Sequence, residues 1–475
     1  MVSAVTAYLC LIITLLAVAT YAFYVTYLSP VNTINAYISA KKTQTPWALG
    51  WCMFASGVGS WALYAFPDTA VQVGSWGIIG YWLSIVLGYG VLARFGTPQK
   101  LYVLLIALFY QLISIAAELT AIGGLMVLLA PDVSKAWAII IVSVITCSYT
   151  LFGTRSRGIK ASIATDAIKG GFVLLLVVII CIAAFSYTAL PVDAFATTGV
   201  AAFTTTGFEA VFTLTIAIVS SNLFLTGFWL RTFAAKNNAD LRKACAYAAL
   251  AATPFIVLLG VVGFMGFIMH PEAPVFDGGF FFYILLDMPE AWSVLVLIVV
   301  AALVSSTADT VQTGMSAEIL SHFQSRLSLT TARLISVVIN IPAIFIALTD
   351  TSVLKLFLIA DLLCAATVGP IFLGIWKRTH PWAVLAGCVS GLVTVLFVRL
   401  LEFVLEEGLF TTHSMVLFIL TLVIPIVVTV GLTFALPPAP KRRTPQNDHA
   451  DLLVDAPVNH TSDHHFEATK SPAVV

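Results

Sequence analysis

Charged residues are scarce in this sequence. Only 10% of the 475 residues are Asp, Glu, Lys or Arg, while 60% are hydrophobic, and the mean hydropathy is +1.01. Because soluble domains contain about 25% charged residues, this scarcity excludes an ordinary soluble protein and predicts a polytopic protein of the lipid bilayer. No Lys or Arg precedes the first apolar run, which is too long for a signal-peptide core, so we expect a retained first span.

The sequence also lacks the cysteine patterns and catalytic motifs that indicate disulfides, metal sites or enzymes. The seven cysteines lie in or beside apolar segments, so we expect neither a disulfide framework nor a metal cluster. The sequence has no nucleophile–base set, no metal-ligand spacing and no phosphate-binding loop. We therefore expect no enzyme, no nucleic-acid partner and no cofactor beyond a coupling ion.

Long apolar runs dominate the rest of the chain and predict thirteen transmembrane helices. The runs are 4–28, 47–66, 73–92, 101–129, 135–152, 165–190, 210–230, 241–269, 290–320, 329–348, 351–375, 380–406 and 412–436. With the N-terminus outside, nearly all basic residues, Arg231 and Lys236 among them, fall in inside loops, and Lys135 is the only base outside. We predict an all-α domain over 1–436, N-out and C-in, followed by a disordered cytoplasmic tail over 437–475.

Two apolar runs carry residues that weaken a helix at mid-span. Residues 56–60 read Ser-Gly-Val-Gly-Ser, and a second small-polar stretch covers residues 220–227. Irregular backbone inside a bilayer survives only where it borders a protein-walled cavity, and secondary transporters bind solutes at such breaks. Close helix packing through small residues is the alternative interpretation. The candidate solute-lining residues here are Gly57, Gly59, Ser60, Trp61, Ser221 and Asn222.

The ninth run has a polar stripe, because Ser305, Asp309, Gln312 or Thr313, and Ser316 recur at three- and four-residue spacing. Such a stripe must face protein or water, and its oxygens suit a small hard cation such as sodium. Hydrogen bonding between helices is the alternative.

Several other charged residues lie within apolar runs. Asp166 and Lys169, three residues apart, could neutralise each other. Glu118 and Asp361 lack an obvious local partner and are therefore candidates for solute or proton binding, although a protonated structural carboxyl is possible.

Five segments together resemble the sodium/solute symporter family. They are Trp47 to Gly50, Glu118 to Gly123, Gly153 to Lys169, Arg231 to Lys236, and Val304 to Ala308. They occur in the family's order and on the corresponding runs, and the resemblance extends over about residues 30–436.

The resemblance implies a leucine-transporter-type fold with two inverted five-helix repeats, over 47–190 and 210–375. It implies a sodium site built from the carbonyls and hydroxyls of Ala55, Val58, Ala302, Ser305 and Ser306. Asp166 matches a family carboxylate associated with a second cation or a proton route, and Asp309 is a further ion-binding candidate.

The sequence departs from the family pattern at several positions. Lys169 stands where Gln is usual, so its ammonium could take the role of the second cation, and Leu230 also replaces a Gln. Gly57 and Ala62 replace polar residues of sugar carriers, which argues against a sugar. The connection from Leu92 to Lys100 is shorter than in the family.

The sequence thus predicts sodium- or proton-coupled symport of a small polar solute such as urea across the plasma membrane. A non-transporting or truncated paralogue, acting as a sensor or inactive, is the alternative. A channel is less favoured, because it predicts a continuous polar pore rather than two localised polar clusters.

Overall fold

The computed structural model describes residues 2–28, 44–92, 101–152, 159–188, 190–191, 193–273, 279–323, 327–349, 351–376, 378–405 and 410–437. Within these ranges the regular structure is helical, with one isolated bridge between Gln44 and Ala235. Most of the predicted tail, 438–475, and the predicted short connection, 93–100, lie outside the described residues.

Seventeen α-helices follow one another in the described part of the chain. They are α1 Ala4–Leu28, α2 Pro46–Gly57, α3 Ala62–Val73, α4 Ser75–Leu92, α5 Leu101–Leu129, α6 Lys135–Phe152, α7 Ile159–Tyr187, α8 Ala194–Thr198, α9 Thr205–Asn222, α10 Thr226–Ala234, α11 Asn238–Met269, α12 Phe280–Tyr283, α13 Glu290–Phe323, α14 Leu329–Ala347, α15 Val353–Leu373, α16 Pro381–Leu405 and α17 Thr412–Ala435. A 3-10 turn, Ile284–Asp287, continues α12.

Nine of the described helices are long and apolar enough to cross a membrane by themselves, and the bent pair α9 and α10 makes a tenth. The remaining three predicted spans coincide with the pair α2 and α3, with α6 and with α16. The apolar parts of α6 and α16, Lys135–Ser148 and Pro381–Phe397, are shorter than those of the nine helices. The all-α polytopic fold is therefore confirmed, whereas the number thirteen and the N-out orientation stay predictions.

The break predicted at residues 56–60 is present. Thr45 caps the start of α2 by accepting a hydrogen bond from the Ala48 amide, and the helix ends at Gly57. Val58 is extended, at φ −112° and ψ 102°, and helical structure resumes only at Ala62. The Ala62 and Leu63 amides bond to carbonyls of the break, those of Gly59 at 3.2 Å and Ser60 at 3.1 Å, so the α-helical pattern is interrupted at the middle of a predicted span.

The second predicted break is also present, between α9 and α10, which meet at 64°. The indole Nε1 of Trp229 donates to the Leu223 carbonyl, 2.8 Å away, and so satisfies one of the acceptors that the bend exposes. Both proposed repeats thus open with an interrupted helix, although their bounds, 47–190 and 210–375, stay predictions.

Glycines allow the helices around the breaks to approach closely. A Cβ on Gly170 of α7 would lie 2.9 Å from both the Ala55 Cβ and the Trp51 carbonyl oxygen of α2. A Cβ on Gly227 of α10 would lie 2.7 Å from the Thr310 Cγ2 of α13. Such small-residue contacts fix membrane helices against each other, and here they set the positions of the functional side chains.

Candidate functional site

A cavity of about 50 Å³ lies between the two breaks. Residues of both breaks border it, together with side chains from α4, α5, α11 and α15. Its lining is Gly57, Val58, Trp61, Tyr81, Ile85, Tyr89, Tyr110, Ile218, Ser221, Asn222, Phe228, Ala252, Phe357 and Asp361. Since one water needs roughly 10–15 Å³ measured in this way, the cavity holds a few waters or one end of a longer molecule.

Among the described residues that line the cavity, Asp361 alone has an acidic or basic side chain. It lies on α15 and is 4% exposed, and no Lys, Arg or His among the described residues forms an ion pair with it. Its Oδ1 accepts no hydrogen bond from the described residues, while the Ser221 hydroxyl faces the carboxyl group. A buried carboxyl of this kind calls for a proton, a donor or a cation.

Six of the residues that line the cavity are aromatic. Tyr81, Ile85 and Tyr89 are spaced by four residues and therefore line the cavity from one face of α4. The Tyr89 hydroxyl donates to the Met53 carbonyl at 3.2 Å, which ties α4 to α2. On the opposite side the rings of Trp61 and Phe357 pack with centroids 4.9 Å apart.

Glu118, predicted to line the solute site, lies elsewhere. Its Oε2 accepts from the backbone amide of Ser60 at 2.9 Å and from the Ser60 hydroxyl at 2.5 Å. A Cβ on Gly59 would lie 1.5 Å from the Glu118 Oε1, so only glycine allows this approach. Glu118 thus satisfies the Ser60 amide of the first break. Of the predicted solute-lining residues, Gly59, Ser60 and Glu118 do not line the cavity, whereas Gly57, Trp61, Ser221, Asn222 and Asp361 do.

Asp166 is surrounded by donors. Its Oδ2 lies 2.6 Å from the Arg231 Nη2, and its Oδ1 accepts from the Ser306 hydroxyl at 2.9 Å. Arg231 also contacts the Cys52 Sγ at 2.9 Å and donates to the Gly227 carbonyl at 2.7 Å. The sequence placed Arg231 in an inside loop, which is wrong, because the residue lies on α10 and is only 1% exposed.

A second, smaller pocket of about 10 Å³ lies between α2, α7 and α13. Its lining is Phe54, Ala55, Val58, Lys169, Gly170, Val173, Leu303 and Ser306. Three of the five residues predicted for the sodium site, Ala55, Val58 and Ser306, therefore meet here, whereas Ala302 and Ser305 do not line the pocket. The Lys169 ammonium lies 3.8 Å from the Asp166 Oδ1.

Polar residues of α13, both within the predicted stripe and beside it, bond to two different neighbours. Ser306 and Thr310 point to Asp166, and Thr310 also accepts from Arg231 at 3.0 Å. Further along the helix, Gln312 donates to Asn340 at 3.0 Å and Ser316 bonds to Ser336 at 2.9 Å. These latter bonds join α13 to α14, so the alternative of interhelical bonding holds there. Asp309 is buried but lines neither pocket.

Sequence reasoning missed the aromatic lining of the cavity and the Arg231–Asp166 pair. The spacing of Tyr81 and Tyr89 was a usable signal, because it predicts one helix face. No local pattern joins Arg231 to Asp166, which lie 65 residues apart.

Comparison with solved structures identifies the architecture. The chain superposes on a Na+-coupled sialic acid symporter with a TM-score of 0.66 and 19% identity, over 92% of this chain and 99% of that one. Mhp1, a nucleobase-cation-symport-1 family transporter, gives 0.53 and 13%, over 86% and 96%. MhsT in complex with L-phenylalanine gives 0.53 and 14%, over 83% and 99%. The fold is the leucine-transporter type, in a multi-pass membrane protein.

Comparison with curated sequences points to a transporter and not to an enzyme. The chain is similar to the spermidine transporter DUR31 of Candida albicans (strain SC5314), at 29% identity over 369 residues, which is 71% of this chain and 69% of that protein. No protein-family model matches the chain. Membership of the sodium/solute symporter family therefore stays a resemblance.

Proposed function

We propose that this protein is a secondary transporter that carries a small organic cation, such as spermidine, across the plasma membrane by alternating access. The observation that carries the proposal is Asp361, a buried carboxyl group without an ion-pair partner among the described residues, in a cavity between two helix breaks. The similarity to a spermidine transporter agrees with this solute class.

The chemistry of the cavity favours a cation over urea, the solute predicted from the sequence. A carboxylate and an ammonium group form a charge-assisted hydrogen bond, about twice as strong as a neutral one. The faces of Trp, Tyr and Phe rings attract a cation within about 6 Å, with a contribution of about 0.5–2 kcal/mol. A neutral solute such as urea could donate hydrogen bonds to the carboxylate but would bring no positive charge to offset its burial.

The size of the cavity indicates how a polyamine would bind. At about 50 Å³ the cavity accommodates one terminal ammonium group and its nearest carbons, rather than a complete polyamine. The rest of the molecule would occupy space that opens when the helices on one side of the breaks move. Binding at one end is compatible with solutes of different lengths that share a terminal amine.

A cationic solute also changes the driving force. Inward movement of each positive charge through a potential of 100 mV, negative inside, is favourable by about 2.3 kcal/mol of free energy. A polyamine carries several charges, so the membrane potential alone can drive its uptake. The alternating-access cycle then needs only to bind the cation and to prevent an open pore.

Uptake by proteoliposomes tests the proposal. We expect the wild-type protein to accumulate labelled spermidine under an inside-negative potential, with labelled urea taken up no faster than by empty vesicles. The variant Asp361→Asn keeps the shape of the side chain but loses its charge, so we expect uptake to fall at least about 30-fold, or about 2 kcal/mol.

Asp193→Asn is the matched control, because Asp193 is an exposed residue before α8. It should retain wild-type uptake. Spermidine uptake that survives Asp361→Asn, or urea uptake in place of spermidine uptake, would contradict the proposal.

A further inference from the structure

We propose that the ammonium group of Lys169 is a built-in cation in the pocket predicted for sodium, so that this protein works without sodium. The inference concerns the ion pocket and does not depend on the solute proposed above. It is based on the position of Lys169, on the partners of Asp166 and on the ending of α2 at this pocket.

Lys169 lines the pocket, and its buried ammonium group has one ion-pair contact, with Asp166 at 3.8 Å. The residue is 9% exposed and borders the space of about 10 Å³ with Ala55, Val58 and Ser306. Its Nζ has no hydrogen-bond acceptor among the described residues. A space of that size holds about one water or one ion, and the Lys169 side chain lines it.

Neutralising Asp166 does not account for Lys169. Arg231 approaches the Asp166 carboxylate to 2.6 Å, whereas the Lys169 Nζ remains at 3.8 Å. The Ser306 hydroxyl bonds to the same carboxylate. Arg231, Lys169 and Asp166 are two cations and one anion, so a sodium ion entering the pocket would add a third positive charge.

The end of α2 favours a cation at this place. The helix terminates at Gly57, so its last carbonyls lose their helical donors, and the negative end of the helix dipole points towards the pocket residues Ala55 and Val58. The close contact of Gly170 with Ala55 and Trp51 holds α7 against α2 and brings the neighbouring Lys169 to that helix end. The ammonium group thereby supplies the positive charge that the helix end favours.

Thermal unfolding of the purified protein tests the inference without any solute. Melting temperatures are measured in sodium chloride and in choline chloride at equal concentration and fixed pH. We expect the wild-type values to agree within about 1 °C, because a ligand that does not bind the folded protein cannot stabilise it.

Lys169→Gln removes the charge and leaves an oxygen ligand, so we expect sodium to raise the melting temperature of this variant by about 2 °C or more relative to choline. Lys169→Met offers no such ligand. It should melt at a lower temperature than the wild type, and at the same temperature in both salts. Lys243→Gln, at an exposed position of α11, should behave as the wild type.

Sodium stabilisation of the wild-type protein, or its absence in a folded Lys169→Gln variant, would overturn the inference. The wild-type comparison needs no variant, so it decides the question even if a variant fails to fold. Failure of spermidine transport would leave these melting temperatures unchanged, which separates the two proposals.

Discussion

The two pockets beside the first helix break carry opposite charges. Asp361 lines the larger one, and its carboxyl has no ion-pair partner among the described residues. The Lys169 side chain lines the smaller one, and its buried ammonium has no hydrogen-bond acceptor among those residues. Val58, in the break itself, borders both. One interruption of a helix thus serves an anionic site, suited to a cationic solute, and a site that already contains a cation.

The two buried aspartates explain the difference. Asp166 forms an ion pair with Arg231 and accepts a hydrogen bond from Ser306, so its charge is compensated within the protein. Asp361 lies among aromatic rings and the small polar side chains of Ser221 and Asn222, so its charge is left for a ligand. Buried carboxyls in a membrane protein therefore need their partners identified before a functional role is assigned to them.

The largest effect on stability is expected when Arg231, the nearest cation to Asp166, is replaced. Arg231→Met leaves a fully buried carboxylate without its nearest cation, and such a loss costs about 3–5 kcal/mol. We expect the lower end of that range, because Lys169 remains 3.8 Å from the carboxylate. The melting temperature of the purified protein should fall clearly.

Two further variants sharpen this result. Arg242→Met, at an exposed position of α11, should melt as the wild type does. Adding Asp166→Asn to Arg231→Met removes the uncompensated charge and should restore part of the loss. If the double variant melted lower still, the two residues would not form an energetic pair.

A smaller effect is expected at the first break. In Gly59→Ala the new methyl group would collide with the Glu118 carboxyl, since the distance would be 1.5 Å. The displaced carboxyl would leave the Ser60 amide unsatisfied, at a cost of about 1–3 kcal/mol. The melting temperature should fall, while Gly171→Ala, where nothing lies within 4 Å, serves as the control. Equal melting of the two variants would contradict the role assigned to Glu118.

The smallest effect concerns the aromatic wall of the cavity. Trp61→Leu removes a ring that borders the same space as Asp361, so we expect spermidine affinity to fall about fivefold, or about 1 kcal/mol. Equilibrium binding of labelled spermidine measures this. Trp137→Leu, on the exposed surface of α6, should bind as the wild type does. An unchanged affinity in Trp61→Leu would exclude the ring from the solute site.

Local sequence signals predicted the parts of this fold that local physics decides. Apolar runs predicted the long helices. The two breaks were predicted from the glycines and serines of residues 56–60 and from the small polar residues near 222. Asp361 was predicted as a deep carboxyl without a local partner, and the structure finds it without an ion pair among the described residues.

Long-range packing determined what could not be predicted. The Glu118 carboxyl bonds to Ser60, 58 residues earlier, and no pattern within its own helix indicates that partner. Arg231, assigned to a loop by charge counting, is buried because α10 packs its guanidinium against residues of α2, α7 and α13. The choice of solute class likewise depends on aromatic side chains from α4, α5 and α15, which the fold brings together around one carboxylate.

A structure determined by electron cryomicroscopy at saturating spermidine tests the central claim most directly. We predict density for one end of the molecule in the cavity, with its nitrogen about 2.7–2.9 Å from the Asp361 carboxylate and within about 6 Å of the Trp61 or Tyr89 ring. An empty cavity, spermidine bound only elsewhere, or Asp361 paired with a basic residue of the protein would contradict the account.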